Sequence, residues 1–427
     1  MKKVVIIGGG IAGLSAAVHL LRKGIQPLLL ESTKKAGGRT TSFFDPNFNS
    51  YLDNGQHILM GCYKETLSLF SQVEIKSNFI LNESLHIDYS DGERYTLKAP
   101  RYFYPLNLAI ALFRYKPLSF NESLAALFLM MRVLANISSR PSGKNVVVWL
   151  KENGQNDNLI KYLWTPLIIG AMNTSVEKAD AGIFCKIVKE IFFRGKLSST
   201  IILPKSDLQS SLVQTLEAKI TSEGGVINYS SQAVRINKKD NGFSVLLKNG
   251  EEISAEAVIL AVPRHALNKI ALPEDLVIDQ QSDLTYSNIL SVHIKSDEIL
   301  LRESFIGLHN SPVHWVFHNE DFLSVVISDA DEYKDLSDQE ILSIIIPELL
   351  RHNILGSEKL TAYRIIKEKR ATFVPDINSS KLRLPARTNQ KGIYLAGDWT
   401  DTGLPATIEG AALSGRLAAE AVFSPGH

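Results

Sequence analysis

The sequence predicts an α/β protein with a parallel sheet, interleaved with a second domain of mixed helix and strand. Three observations carry this. The β-branched apolar run Val4 to Ile7 leads through a glycine turn and a helical stretch to a second apolar run, Pro27 to Leu30. Two further runs of the buried-strand type, Ala257 to Val262 and Gly392 to Ala396, lie far downstream. The stretches between have a different texture, rich in long helical patterns and then in mixed elements. With 427 residues the chain exceeds one compact core.

Each element follows from local chemistry. After the turn at Gly8 to Gly13, Leu14, Ala17, Val18 and Leu21 recur at helical spacing, and Gly24 stands where a C-terminal cap belongs. Two strands joined by one helix in so few residues form a right-handed parallel crossover. From about Tyr63 to Arg194 helical segments dominate, for example Leu124, Leu127, Phe128, Met131 and Leu134, with aromatics gathered at Tyr102, Phe103, Tyr104, Phe113 and Tyr115. At Asp207, a candidate N-cap, the character reverts: Leu208, Leu212, Leu216 and Ile220 share a helix face that Gly224-Gly225 ends. Three strands follow, divided by the hairpin pairs Asn241-Gly242 and Asn249-Gly250. Strands and helices then mix, with strands expected at Val313 to Phe317 and Leu323 to Ile327, and a last helix from about Ala406 to Ala421. The expected division is 1–62, 204–266 and 386–427 for the α/β domain, and 63–203 and 267–385 for the other.

Composition removes several classes. The chain is 45% hydrophobic and 21% charged, an ordinary globular balance. Lys plus Arg is 46 against 45 for Asp plus Glu, which leaves no basic footprint for nucleic acid. Two cysteines, Cys62 and Cys185, make neither a disulfide framework nor a Cys-rich metal site, so no metal is expected and a reducing cytoplasm fits. Met1-Lys2-Lys3 before an apolar run imitates a secretion signal, but three consecutive glycines make a poor helix. No other stretch suits a bilayer span: Ala109 to Phe113 stops at Arg114, Ser123 to Met131 at Arg132, and Tyr162 to Val176 is short and broken by Pro166 and Gly170.

Gly8-Gly9-Gly10-Ile11-Ala12-Gly13 fits G-x-G-x-x-G between a strand and a helix. Gly8 permits the turn, Gly10 lets a pyrophosphate approach the backbone, and Gly13 lets helix and strand pack. The helix start, with Ile11 and Ala12, offers free N–H groups to phosphate. Glu31, at the end of the second strand, suits adenosine ribose hydroxyls and repels a 2′-phosphate. Gly37-Gly38-Arg39 can set a guanidinium on those phosphates; an exposed loop is the plain alternative. Asp53-Asn54-Gly55-Gln56-His57 is either a turn holding a satisfied histidine or a loop under a cofactor ring, with His57 as a candidate acid. Gly397-Asp398 ends a strand with a carboxylate suited to ribityl hydroxyls, and the helix beginning near Ala406 can aim N–H groups at a flavin edge; a capped terminal helix is the alternative. Together the three places specify a Rossmann-like FAD-binding domain.

These residues resemble the amine oxidase, protoporphyrinogen oxidase and phytoene desaturase group of FAD enzymes over the whole chain, above all at Gly8 to Arg39, Asp53 to His57 and Ala396 to Gly415. Within it they are most similar to the hydroxysqualene dehydroxylase family: Asp53 to His57 with Gly61 and Tyr63, Leu203-Pro204 with Asp207-Leu208, and Ala396 to Ala411 carry the likeness. Carotenoid desaturases share much of the last signature. The resemblance implies FAD contacts at Gly8, Gly10, Gly13, Glu31, Arg39, Val234, Gly397, Asp398 and Ile408, with Val234 acting through its backbone on adenine. Ile11, Ala12, Gly38, Gly55, Gln56 and Thr407 join these as candidates. It also implies a long apolar isoprenoid substrate in an apolar tunnel. Tyr102 to Leu134 is then a tunnel wall or membrane-facing entrance, or simply helical core. The implied reaction is a two-electron reduction by reduced flavin at an allylic carbon as hydroxide leaves, giving squalene. NADPH or NADH is expected as external reductant, since no second glycine fingerprint follows a strand. Peripheral membrane association at the cytoplasmic face is expected, together with contact to other squalene-pathway enzymes. The alternatives are a carotenoid desaturase, an amine oxidase-like flavoenzyme and a non-catalytic FAD-binding prenyl escort.

Overall fold

The computed structural model describes residues 3–71, 78–136, 141, 143–278 and 284–423; Met1 and Lys2 of the opening basic run lie outside them. Five strands form an all-parallel sheet in the order Val226–Asn228, Leu28–Leu30, Val4–Ile7, Ala257–Leu260, Ile393–Leu395. Val4–Ile7 and Ala257–Leu260 are buried at every position, as strands covered on both faces must be. Helices Ile11–Arg22, Gln214–Ser222 and Ile408–Phe423 cover one face. The antiparallel meander Ala233–Lys239, Gly242–Leu247, Glu252–Ala255 covers the other, turning at Gly242 and Gly250. The last helix starts at Ile408, two residues later than its apolar pattern suggests, because Thr407 caps it: its hydroxyl accepts the Gly410 N–H at 3.0 Å.

The first and last helices meet almost backbone to backbone. A Cβ on Gly415 would stand 2.2 Å from the Ala12 carbonyl and 2.8 Å from the Ala16 nitrogen. Ser15 fills the same interface and donates to the Ala412 carbonyl at 2.7 Å. The last helix also reaches outward: buried Glu409 accepts the Glu65 and Thr66 N–H groups at 2.9 Å, so it neutralises the open end of helix Lys64–Ser71.

The second sheet has seven strands, in the order Ala362–Phe373, Tyr286–Lys295, Phe322–Ser328, Trp315–Asn319, Phe305–Leu308, His86–Ser90, Arg94–Lys98. All pairs are antiparallel except Phe305–Leu308 with His86–Ser90. Leu290, Val292 and Ile294 pack under helix Asp338–Arg351. Ile289 points the opposite way, into the core shared with the helices between 106 and 193. Strands His86–Ser90 and Arg94–Lys98 stand within the stretch where helical segments were expected to dominate; they alternate polar and apolar residues about Asp91-Gly92, a hairpin pair. The helix expected around Leu124 is present as Phe120–Leu134, but it packs through Ser123, Ala126, Leu129, Met130 and Val133, so Leu124, Phe128, Met131 and Leu134 face out.

The Gly415 contact sets a prediction. Gly415→Ala pushes a methyl into the backbone of Ile11–Arg22 and should destabilise the protein by about 1–3 kcal/mol, the usual cost of overpacking. Urea unfolding of the two proteins checks this; equal midpoints would mean the helices separate without cost.

Candidate active site

The glycine turn is built for different reasons at each position. Gly8 has φ +109°, and a Cβ there would lie 2.7 Å from the Ala261 carbonyl; at Gly13 it would lie 2.0 Å from the Gly8 carbonyl. Those two glycines are demanded by packing. A Cβ on Gly10 meets nothing within 4 Å, so the chain itself does not require a glycine there. Gly10 is the N-cap of Ile11–Arg22, no side chain caps that helix, and its first turn holds no acid. Ile11 and Ala12 turn their side chains into the core and leave only backbone for a ligand. The open face, uncapped N–H groups and absent acid together fit a pyrophosphate.

Glu31 closes the adjoining side. Its Oε1 accepts from the Thr33 N–H (2.7 Å), the Thr33 hydroxyl (2.9 Å) and the Ser32 hydroxyl (3.2 Å), while Oε2 accepts from Gly9 N–H alone at 2.8 Å. Oε2 therefore keeps room for a ribose hydroxyl. The Glu31 carbonyl accepts the Ser231 N–H at 2.8 Å, which draws the start of the meander alongside. There a β-bulge takes Val234 out of register with the next strand, and its carbonyl accepts the Ala271 N–H at 2.9 Å.

Gly38–Thr40 form a single tight turn that aims Arg39 across the site. Its Nη2 bonds the Asp398 carboxylate at 2.7 Å and its Nη1 the Ala371 carbonyl at 2.5 Å. Ala371 lies in the register shift between Ala362–Phe373 and Tyr286–Lys295, so a bulge presents its carbonyl. Burial opposes the guanidinium's charge, but Asp398 more than offsets it and holds the Arg39 pKa above the ordinary arginine value. Gly397, at φ +145°, has no space for a side chain: a Cβ would stand 2.4 Å from the Trp399 indole nitrogen. The loop after Asp398 is organised by Arg383, which sequence reasoning missed. Its guanidinium donates to the Thr400 and Leu404 carbonyls at 2.9 and 2.7 Å and to the Thr402 hydroxyl at 2.9 Å, and it stacks on Phe373. Burial pushes its pKa down to about 10, so it stays charged. Ile408 buries its side chain among the first and last helices, and the Thr407 hydroxyl is spent on its cap.

The loop 54–58 and the residue before it bridge the helix start at Leu208 and the seven-stranded sheet at His293 and Glu368. Asp53, before it, is structural: its carboxylate accepts the Ser42 hydroxyl (2.6 Å) and the Leu208 N–H (2.9 Å), and its carbonyl bonds buried His293 at 3.1 Å. Burial pushes its pKa up to about 6. Asn54 donates to Glu368 at 2.9 Å. A Cβ on Gly55 would be a comfortable 3.6 Å from the Ser291 hydroxyl, so packing does not demand that glycine either. Gln56 is half-buried beside it. His57 has a buried Nδ1 with no hydrogen-bond partner, and its pKa is lowered to about 4, first by burial and also by the Arg39 charge, against the Gly55 backbone. It is therefore a neutral imidazole at pH 7, not a charged acid. Its neighbours Ile58 and Met60 pack into the apolar core of the helical insertion, with Phe305 and Phe317 from the sheet. The arrangement offers a dinucleotide cradle, a charged clamp between distant segments, and one neutral imidazole beside an apolar wall.

A family model described as flavin containing amine oxidoreductase matches residues 11–423. Hydroxysqualene dehydroxylase of Rhodopseudomonas palustris is 28% identical, with 100% of this chain and 99% of that protein covered. The chloroplastic/chromoplastic 15-cis-phytoene desaturase of Capsicum annuum is 25% identical over 98% of this chain but 77% of that protein. Cyclohexylamine oxidase from Brevibacterium oxydans shares the fold, with a TM-score of 0.68 at 15% identity, covering 99% of this chain and 98% of that one.

Two predictions follow from this geometry. Gly10→Val should abolish FAD uptake while costing about 1 kcal/mol of stability or less, the scale of a poorer N-cap residue, because a Cβ there meets no protein atom. Glu31→Ala should weaken FAD by about 1–3 kcal/mol. Titrating apoprotein with FAD reads both, and unchanged affinity in the valine variant would refute the cradle. The second concerns acid. His19, His57, His293, His309, His314 and His352 are each lowered to about 4, with burial the largest cause. The unfolded chain takes up these protons below about pH 6.5, so their stabilisation is complete above that and is lost as pH falls toward 4. Asp53, Asp180 and Glu409, raised by burial, act in the opposite sense but are fewer. Urea midpoints should be lower at pH 5 than at pH 7; a flat profile would refute the account.

Proposed function

The chain belongs to the flavin-containing amine oxidoreductase family, and we propose that within this family of FAD-dependent oxidoreductases it reductively removes the hydroxyl of hydroxysqualene to give squalene. The observation that carries this reading is the end-to-end match with a dehydroxylase, set against a phytoene desaturase of which the chain spans only part. The apolar wall beside His57 supports it, since a substrate with one hydroxyl and no charge must be held by burial.

The reaction takes up two electrons and two protons: one hydrogen ends on carbon, the C–O bond breaks, and the oxygen leaves as water. Bound FAD supplies the two electrons, with NADPH or NADH as the external reductant. Gly8 to Gly13 and Glu31 hold the adenylate and pyrophosphate, and Arg39 and Asp398 lock the far segment against them. Ile58 and Met60 exclude water from the side where the carbinol would lie. His57 keeps one ring proton at neutral pH and positions the hydroxyl by a hydrogen bond. It gains its second proton only as pH falls toward about 4, so any part it plays as an acid grows in that direction. The enzyme works at the cytoplasmic face of the cell membrane, where such a substrate resides. Contact with neighbouring enzymes of squalene synthesis would pass the substrate on.

Purified protein incubated anaerobically with hydroxysqualene and NADPH should yield squalene, read by gas chromatography with mass detection. His57→Ala should slow the reaction by roughly 10²–10⁴-fold without loss of bound flavin, and the rise in rate from pH 8 to pH 6 should vanish with it. Desaturated phytoene with untouched hydroxysqualene would establish the carotenoid reading instead. Bound flavin that no donor reduces would point to the escort.

A further inference from the structure

Helices Leu106–Arg114 and Phe120–Leu134 are apolar on both sides. Each buries one face in the core of the insertion. The opposite face of the longer helix carries Phe120, Leu124, Phe128 and Met131, with Phe120 67% and Phe128 66% exposed. Leu106 and Phe113 extend this surface along the shorter helix, where Phe113 stacks on Phe120 at 5.1 Å. A helix apolar all round belongs in a core or in lipid. No helix among the described residues is long and apolar enough to cross a membrane. Fifteen residues reach about 22 Å, short of the roughly 30 Å hydrocarbon layer.

The charges at the margin are one-sided. From 101 to 136 the sequence holds Arg101, Arg114, Lys116 and Arg132 but a single acid, Glu122, in a chain whose charges otherwise balance. Glu122 is occupied: it completes the capping box with Ser119 at the start of Phe120–Leu134. Arg101 pairs with Glu83 at 2.8 Å. Arg132 lies over the Phe128 ring at 5.9 Å, and Lys196 over exposed Tyr102 at 5.6 Å. Cations seated on rings at the edge of an apolar face match an interface where rings enter the acyl boundary and charges meet headgroups.

We propose that this face docks on an anionic lipid bilayer, with the two helices lying in the plane of the interface. A second copy of the chain fits less well, because a twofold contact through the face would set one basic margin against another. The surface stands on its own observations and holds whatever the substrate of the site proves to be.

The test is sedimentation of the flavin-loaded protein with vesicles, without substrate. The wild type should pellet with phosphatidylcholine vesicles containing phosphatidylglycerol and pellet less with phosphatidylcholine alone. Phe120→Ser combined with Phe128→Ser should weaken partitioning by about a hundredfold, from roughly tenfold or more for each phenylalanine withdrawn from lipid. Arg114→Gln with Lys116→Gln and Arg132→Gln should remove the preference for phosphatidylglycerol. Flavin absorbance and melting temperature verify that the variants fold. Wild-type protein that stays in the supernatant, or serine variants that pellet unchanged, would overturn the proposal. So would a lipid-free dimer, measured by analytical ultracentrifugation, that the serine pair dissociates.

Discussion

The candidate site depends on the approach of two helices taken from opposite ends of the chain. Ile11–Arg22 begins at the phosphate cradle, and Ile408–Phe423 begins beside the Asp398 loop. Their separation is set by Gly415 and Ala12, Ser15 and Ala412, residues whose side chains are absent or small. That spacing brings Asp398 within reach of Arg39 across 359 positions of sequence. Had either helix carried a bulky residue at the contact, the cradle and the loop would face separate solvent, and neither half alone encloses a dinucleotide.

Much of this was legible in the residues. The turn at Gly8 to Gly13 and the acid at Glu31 answer to local requirements, namely a strand, a helix start and a fixed interval, and such requirements leave a pattern. Four of the five parallel strands were legible as unbroken apolar runs, because burial on both faces removes alternation; the edge strand Val226–Asn228, exposed at Val226, left no such run. Arg383, Glu409 and Asp53 left no comparable trace. Arg383 stands among Leu382, Leu384 and Pro385 and receives its task from carbonyls of a loop further along. Glu409 caps a helix that begins at Lys64, and Asp53 holds the N–H of Leu208. Their partners are remote in sequence, so no spacing encodes them.

Two other features were ambiguous for different reasons. In Phe120–Leu134 the helical period is clear, but apolar residues recur on both faces, so period alone cannot say which one packs. The loop at Asp53 to His57 reads as polar and suggests a solvated turn. Folding places it between two apolar layers, and burial then alters its chemistry: Asp53 is drawn toward its protonated form and His57 toward its neutral one. Residue identity announces ionisable groups there, whereas their charge state is a property of the assembled layers.

The strand order has a consequence for how the molecule comes into being. The sheet strand Val4–Ile7 is made first, yet its neighbour Ala257–Leu260 and the edge strand Ile393–Leu395 are made much later. A ribosome must therefore deliver nearly the whole chain before the sheet can close. Until then the nascent protein presents unpaired apolar strands, and long-range parallel pairing is slow. The topology keeps the Asp398 loop, which follows the last strand, away from Arg39 until synthesis is nearly done.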